Sequence, residues 1–252
     1  MNFKDLHYQD NPLLICNVWD GMSTKIADKL GFQAIGTSSA AISNMLGYED
    51  GENMSFSELC YFVKQIKATS PLPLTVDIES GYSREPQEIA ENIISLAKLG
   101  VAGINIEDSV VINKQRTLID AGTFAHLLAE VTALLSDKGV DVFINVRTDV
   151  YIVGHSLPAK EAQNRAKIYQ QAGADGIFVP CIENSEEIVN LTGCCELPVN
   201  VMCMPNLTNF ENLKKLGVKR ISMGNFLFDN MYRHLEHKLQ SIINSQSFEA
   251  IF

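Results

Sequence analysis

Several features are scarce in this chain of 252 residues. No apolar run approaches the roughly 20 residues a membrane-spanning helix needs, because Asp, Glu, Lys or Arg interrupts each candidate. No five like charges stand in a row, which excludes a charged tail. Positive charge is in short supply. Twenty Lys and Arg against thirty Asp and Glu give a formal net charge of −10, a field that opposes nucleic acid. None of Cys16, Cys60, Cys181, Cys194, Cys195 and Cys203 forms a CxxC pair or stands at zinc-finger spacing from a His, so a structural zinc site lacks support. The opening residues MNFKDLHYQD carry acids and no apolar segment, unlike a secretory leader, and a cytoplasmic setting with free thiols is expected.

What is present is a foldable excess of apolar residues, 46% of the chain. It is arranged in short runs: 13–19, 34–39, 72–80, 103–108, 141–149, 176–180, 197–203 and 219–224. Helical patterns lie between them. EPQEIAENIISLAKLG (85–100) puts Ile89, Ile93, Leu96 and Leu99 on one stripe and ends in Gly100. Residues 158–173 begin with Pro and end in Gly, and residues 206–217 offer Thr208 or Asn209 as N-cap and Gly217 as stop. Strand then helix, repeated eight times, predicts an α/β protein whose residues 1–252 form a single (β/α)8 barrel domain. A doubly wound sheet is the alternative, but the turn GTSSAA lacks the GxGxxG spacing of dinucleotide-binding folds, and no Pro-, Gly- or Ser-rich linker divides the chain.

Barrel chemistry sits at the carboxyl ends of the strands. Those ends carry Asn17, Trp19 and Asp20, then Ser38 and Ser39, Asp77 and Glu79, Glu107 and Asp108, and Arg147 and Asp149. Asp77 and Glu79 are one residue apart on an extended run, so their side chains are expected to point the same way, with Glu107 able to join them. Thirty acids make chance pairs common, but three acidic strand ends together suit Mg²⁺ or Mn²⁺ rather than a soft metal. A lone Arg147 could instead neutralise Asp149 or Asp20. Trp19 reads as a core or rim aromatic.

The segments NVWDGMSTKIADKLGFQAIGTSSAA, LGYEDG, VDIESGY, GINIEDS, NVRTDVY and AGADGIFVP, in that order, resemble the isocitrate lyase/phosphoenolpyruvate mutase superfamily over nearly the whole chain. The resemblance implies a Mg²⁺-dependent barrel enzyme that makes or breaks a C–C or P–C bond in a small 2-oxo or 2-hydroxy carboxylate through an enolate. It implies that Asp77 ligates Mg²⁺, with Asp50, Glu79 and Glu107 holding the ion directly or through water. Ser38, Ser39 and Ala40 would bind the substrate carboxylate, near Trp19, and Arg147 the other end of the substrate or the departing anion. It further implies a homo-oligomer, commonly a tetramer, exchanging a C-terminal helix sought in residues 226–245.

Two departures stand out. The lyase branch carries a KKCGH-type loop whose Cys is the general acid; here DSVVINKQRTLID (108–120) has neither Cys nor His. Asn113 and Lys114 resemble instead the polar loop of the phosphonate branch and are the catalytic candidates there. Glu79 stands where Asp is usual. The expected function is therefore a Mg²⁺-dependent lyase, decarboxylase or phosphonate-processing enzyme without the cysteine acid. The alternative is a non-catalytic carboxylate-binding or sensory protein on the same barrel. A Schiff-base aldolase is disfavoured, because no run ends in Lys.

Overall fold

Runs of Val, Ile and neighbouring apolar residues make strands that are buried on both faces, and that double burial is what a parallel sheet covered by helices requires. The computed structural model describes residues 2–49 and 51–252. In chain order its strands are β1 (Leu13–Val18), β2 (Ala34–Thr37), β3 (Leu74–Asp77), β4 (Gly103–Glu107), β5 (Ser109–Ile112), β6 (Gln115–Leu118), β7 (Phe143–Arg147), β8 (Gly176–Val179), β9 (Val199–Met202) and β10 (Arg220–Ser222). All but β5 and β6 close into one parallel barrel in the order β1-β10-β9-β8-β7-β4-β3-β2. Each of the eight apolar runs supplies one barrel strand, as the spacing predicts.

Nine helices lie among the described residues: α1 (Gly21–Lys29), α2 (Ser39–Leu46), α3 (Phe56–Thr69), α4 (Pro86–Lys98), α5 (Ala121–Asp137), α6 (Pro158–Gln171), α7 (Ser185–Thr192), α8 (Phe210–Lys215) and α9 (Phe226–Ser245). Their ends follow local chemistry. Asp20 and Ser23 form a reciprocal capping box that starts α1, and Ser55 with Glu58 does the same for α3. Asn209, not Thr208, caps α8 by accepting from the Asn212 N–H. On α4, Ile89, Ile93 and Leu96 are buried, the stripe expected from the sequence. No helix among the described residues is long and apolar enough to cross a membrane. The six cysteines form no disulfide.

Three features lie beyond the sequence pattern. First, residues 109–118 form an antiparallel hairpin rather than an unstructured loop. Its β-branched Val and Ile face a Gln-Arg-Thr-Leu strand across a two-residue turn. Asn113 (φ 51°) and Lys114 (φ 65°) both adopt the left-handed conformation that matches such a turn to strand twist. Second, the N-terminal segment plugs the bottom of the barrel: Phe3 and Leu6 pack with Leu13, Ile15 and Phe143, and the His7 ring stacks on Phe143 at 4.0 Å. Third, α9 buries Phe228 but leaves Leu235, Leu239 and Ile243 exposed at 49%, 51% and 69%.

Candidate active site

The carboxyl ends of the barrel strands enclose a cavity of about 300 Å³. One wall is the start of α2. Ser38 is its N-cap, with Oγ accepting from the Ala41 N–H at 3.3 Å. That leaves the Ser38 O–H as a donor beside the cavity, and the first-turn N–H groups of Ser39 and Ala40, residues that also line it, have no intrahelical acceptor. Ser39 Oγ donates to Asp77 Oδ2 at 2.7 Å, and the Asp77 N–H donates to Thr37 Oγ1 at 2.8 Å. Asn17 locks this wall to the end of the barrel: its Oδ1 accepts from the N–H groups of Met223 (2.8 Å) and Gly224 (3.1 Å), and its Nδ2 donates to the Thr37 carbonyl (3.0 Å).

The facing wall carries Arg147 at the end of β7. Its Nε donates to Asp149 Oδ1 at 2.6 Å, and Nη1 lies 3.1 Å from Glu107 Oε2. A second guanidinium, Arg116, arrives from β6. Its Nη1 donates to Asp149 Oδ2 at 2.9 Å, to Ser109 Oγ at 2.8 Å and to Glu107 Oε1. Two buried acids are therefore bracketed by two cations. Burial dominates the Glu107 carboxyl and, with the Asp149 and Asp77 charges, pushes it up to about 7 despite both arginines. Burial also works to raise Asp149, but Arg147 and Arg116 overcome it and hold that carboxyl below its ordinary value. Burial works against the Arg147 charge, yet Glu107 and Asp149 raise its pKa well above the ordinary arginine value. Behind this square Asp108 accepts from Arg165 Nη1 at 2.9 Å and from the Tyr169 hydroxyl at 2.8 Å, anchoring β4 to α6.

Of the residues singled out in the sequence, Ser38, Ser39, Ala40, Asp77 and Arg147 line the one cavity. Asp50 lies outside the described residues. Glu79 follows the end of β3 at Asp77, takes a φ of 50° and is not among the residues lining the cavity. Its Oε2 accepts from the Glu52 N–H. Asn113 and Lys114 sit at the hairpin tip, where Lys114 Nζ pairs with Glu49 Oε1 at 2.7 Å; they line a separate cleft with Glu49, Gly51 and Asn53. Trp19 is buried and meets Phe228 edge-on at 5.3 Å, away from the cavity wall. Sequence reasoning missed Arg116, whose reach depends on the hairpin, and Asn105 and Ser222, which also line the cavity. The signal for Asn105 was available: it has the same strand parity as Glu107, two residues on.

Among the described residues no three His, Cys, Asp or Glu side chains are gathered to hold an ion. The donor chemistry nevertheless fits Mg²⁺. That ion takes hard oxygens, keeps several waters, and is commonly held by one or two carboxylates plus substrate oxygens rather than a full protein cage. Asp77 offers a carboxylate on the cavity wall, with the buried acids Glu107 and Glu79 behind it.

A closed parallel barrel with a helix start, a carboxylate and an arginine converging on one cavity at its carboxyl end defines an enzyme site. Residues 3–243 match the model of the phosphoenolpyruvate phosphomutase family, and the chain belongs to that family. It is 30% identical to oxaloacetate decarboxylase 1 of Pseudomonas fluorescens over 224 residues, 86% of this chain and 75% of that one. A candidate phosphonomutase of Burkholderia cenocepacia superposes with a TM-score of 0.88 at 34% identity, covering 94% of this chain and 97% of the other. An oxaloacetate acetylhydrolase holding its product oxalate shares the fold, with a TM-score of 0.87 at 20% identity over 98% and 87% of the two chains.

Proposed function

We propose that the protein is a Mg²⁺-dependent enzyme that breaks or forms a C–C or P–C bond in a small 2-oxo or 2-hydroxy carboxylate. The observation that carries this reading is the convergence of Asp77, Arg147 and the start of α2 on one cavity of about 300 Å³. Asp77 would hold the ion, with Glu107, Glu79 and Asp50 acting directly or through water. Bound there, Mg²⁺ (or Mn²⁺) would supply positive charge where an enolate develops. The Ser39 and Ala40 N–H groups receive one carboxylate, aided by the positive end of the helix. Arg147, fixed by Asp149 and Glu107, receives the other end of the substrate or the departing anion without having to reorganise. Ser39 Oγ orients the Asp77 carboxylate. Subunits would meet through the exposed face of α9, and sedimentation equilibrium tests for the oligomer.

Release of pyruvate or glyoxylate from oxaloacetate, phosphonopyruvate, 2-methylisocitrate and four-carbon hydroxy acids tests the reaction. EDTA is expected to abolish turnover, and Asp77→Ala to remove Mg²⁺ binding in a calorimeter. Undiminished Mg²⁺ affinity in that variant refutes the metal assignment. The missing Cys and His in residues 108–120 give weight to a second reading, a carboxylate-binding protein without turnover; tight oxalate binding with no product from any of these acids would favour it.

A further inference from the structure

The floor of the cavity is polar where barrel interiors are usually filled by branched aliphatic side chains. Asn105 on β4 is the Cα partner of Asp77 on β3, and both line the cavity. Below it lie Asn145 on β7, Asn200 on β9 and Arg220 on β10, all but fully buried. Arg220 Nη2 donates to Asn105 Oδ1 at 3.1 Å, and Asn145 Nδ2 donates to the same oxygen at 2.9 Å. Asn145 Nδ2 also reaches Asn200 Oδ1 at 3.1 Å, and Asn200 Nδ2 reaches the cavity-lining Ser222 Oγ at 3.1 Å.

This arrangement decides which way the Asn105 amide faces. A guanidinium has donors and no acceptor, so the oxygen of Asn105 must face Arg220 and the nitrogen must face away. Among the described residues Nδ2 donates to no protein acceptor, although Asn105 is only 8% exposed and what exposure it has is onto the cavity. The Nδ2 donor therefore opens onto the cavity, where a ligand oxygen can accept from it. Arg220 also makes no ion pair with any described residue, so its charge is free to polarise the amide and strengthen Nδ2 as a donor.

We propose that Asn105 is a substrate-binding residue whose Nδ2 donates to a carboxylate or 2-oxo oxygen of a small anionic acid, and that Arg220 is the positioning residue that fixes its orientation. This rests on the cavity being the site of such an acid. The test is oxalate binding by calorimetry at saturating Mg²⁺. Asn105→Ala is expected to weaken oxalate about tenfold, and Asn105→Asp about 100-fold, because a carboxylate oxygen then replaces the donor. The new carboxylate pairs with Arg220, so Asn105→Asp should keep its thermal midpoint. Arg220→Lys, still a pure donor, should bind oxalate within about threefold of wild type, whereas Arg220→Met should lose about tenfold. On the Asn105→Ala background Arg220→Met should add no more than about threefold. Asn105 variants that bind oxalate like wild type overturn the assignment while leaving the reading of the cavity intact. An equal loss from Arg220→Met with and without Asn105→Ala overturns the positioning role. A wild-type protein that binds neither oxalate nor any 2-oxo acid overturns the reading of the cavity, and the assignment with it.

Discussion

Arg116→Met is the perturbation with the most consequence, because it takes one cation from a square of two acids and two arginines. The side chains of Glu107 and Asp149 are 3% and 0% exposed, so neither can turn to water. Breaking a buried ion pair ordinarily costs about 3–5 kcal/mol, since a charge is stranded. Here one acid has an escape: Glu107 already titrates at about 7, so at pH 6 it carries its proton and little charge is stranded. The sign follows directly. A carboxyl whose folded pKa lies above its unfolded value opposes folding increasingly as pH rises between the two, and the variant extends that window upward. Relative to wild type, the variant should lose about 1 kcal/mol at pH 6, then about 1.4 kcal/mol more for each pH unit above 7, levelling off at about 3–5 kcal/mol. Urea denaturation of both proteins at pH 6, 7, 8 and 9 in EDTA measures this. A loss that is the same at all four values refutes the reasoning, because it places the effect in packing rather than in the Glu107 proton.

Three further outcomes are expected. Burial, aided by the Arg220 charge, drives His7 from 6.5 down to about 3, so this residue's contribution to stability should fall as pH drops from 6.5 toward 3; His7→Phe should remove it, seen as a smaller drop in thermal midpoint between pH 6 and 4 than wild type shows. Arg165→Met strands the fully buried Asp108 and should cost about 3–5 kcal/mol in urea titrations, while Asp108→Asn added to it recovers part of the loss. Oxalate and Mg²⁺ should each tighten the other's binding by the same factor, at least about tenfold; calorimetric affinities that do not depend on the partner would remove the ion from the oxalate site.

The barrel was legible because its signal is repeated and local. Eight apolar runs, each followed by a helix, carry the topology without any long-range information, and the Asp20 box, the Asn209 cap and the Gly217 stop sit where the residue types put them. The site was legible where it depended on strand ends alone, at Ser39, Asp77 and Arg147. Alternation alone could not place Glu79, since parity holds only while φ stays extended and β3 stops two residues earlier. Arg116 was out of reach for a different reason. Its role is set by a hairpin whose two-residue turn uses Asn113 and Lys114 in left-handed conformations, where Asn-Gly would have been the recognisable signal. Asn105 was overlooked because an asparagine in an apolar run reads as filler until a donor-only neighbour fixes its amide.

Charge ties these pieces together. Three acidic strand ends in a chain of net charge −10 suggested a cluster of acids at the barrel mouth suited to a divalent cation. The structure brings Glu107 and Asp149 together and answers them internally with Arg116 and Arg147, while Asp77 accepts from the Ser39 hydroxyl and Arg220 lies buried beneath. A dicarboxylate entering that balance adds two negative charges in a place where water screens poorly, and the α2 start contributes only partial charges against them. On the proposed reading a divalent ion would offset those two charges, whereas either ligand alone would leave an imbalance. The same arithmetic explains why Arg147 is pinned by two acids rather than left free: its charge is held in place for the substrate without making the empty cavity so positive that any anion would settle there.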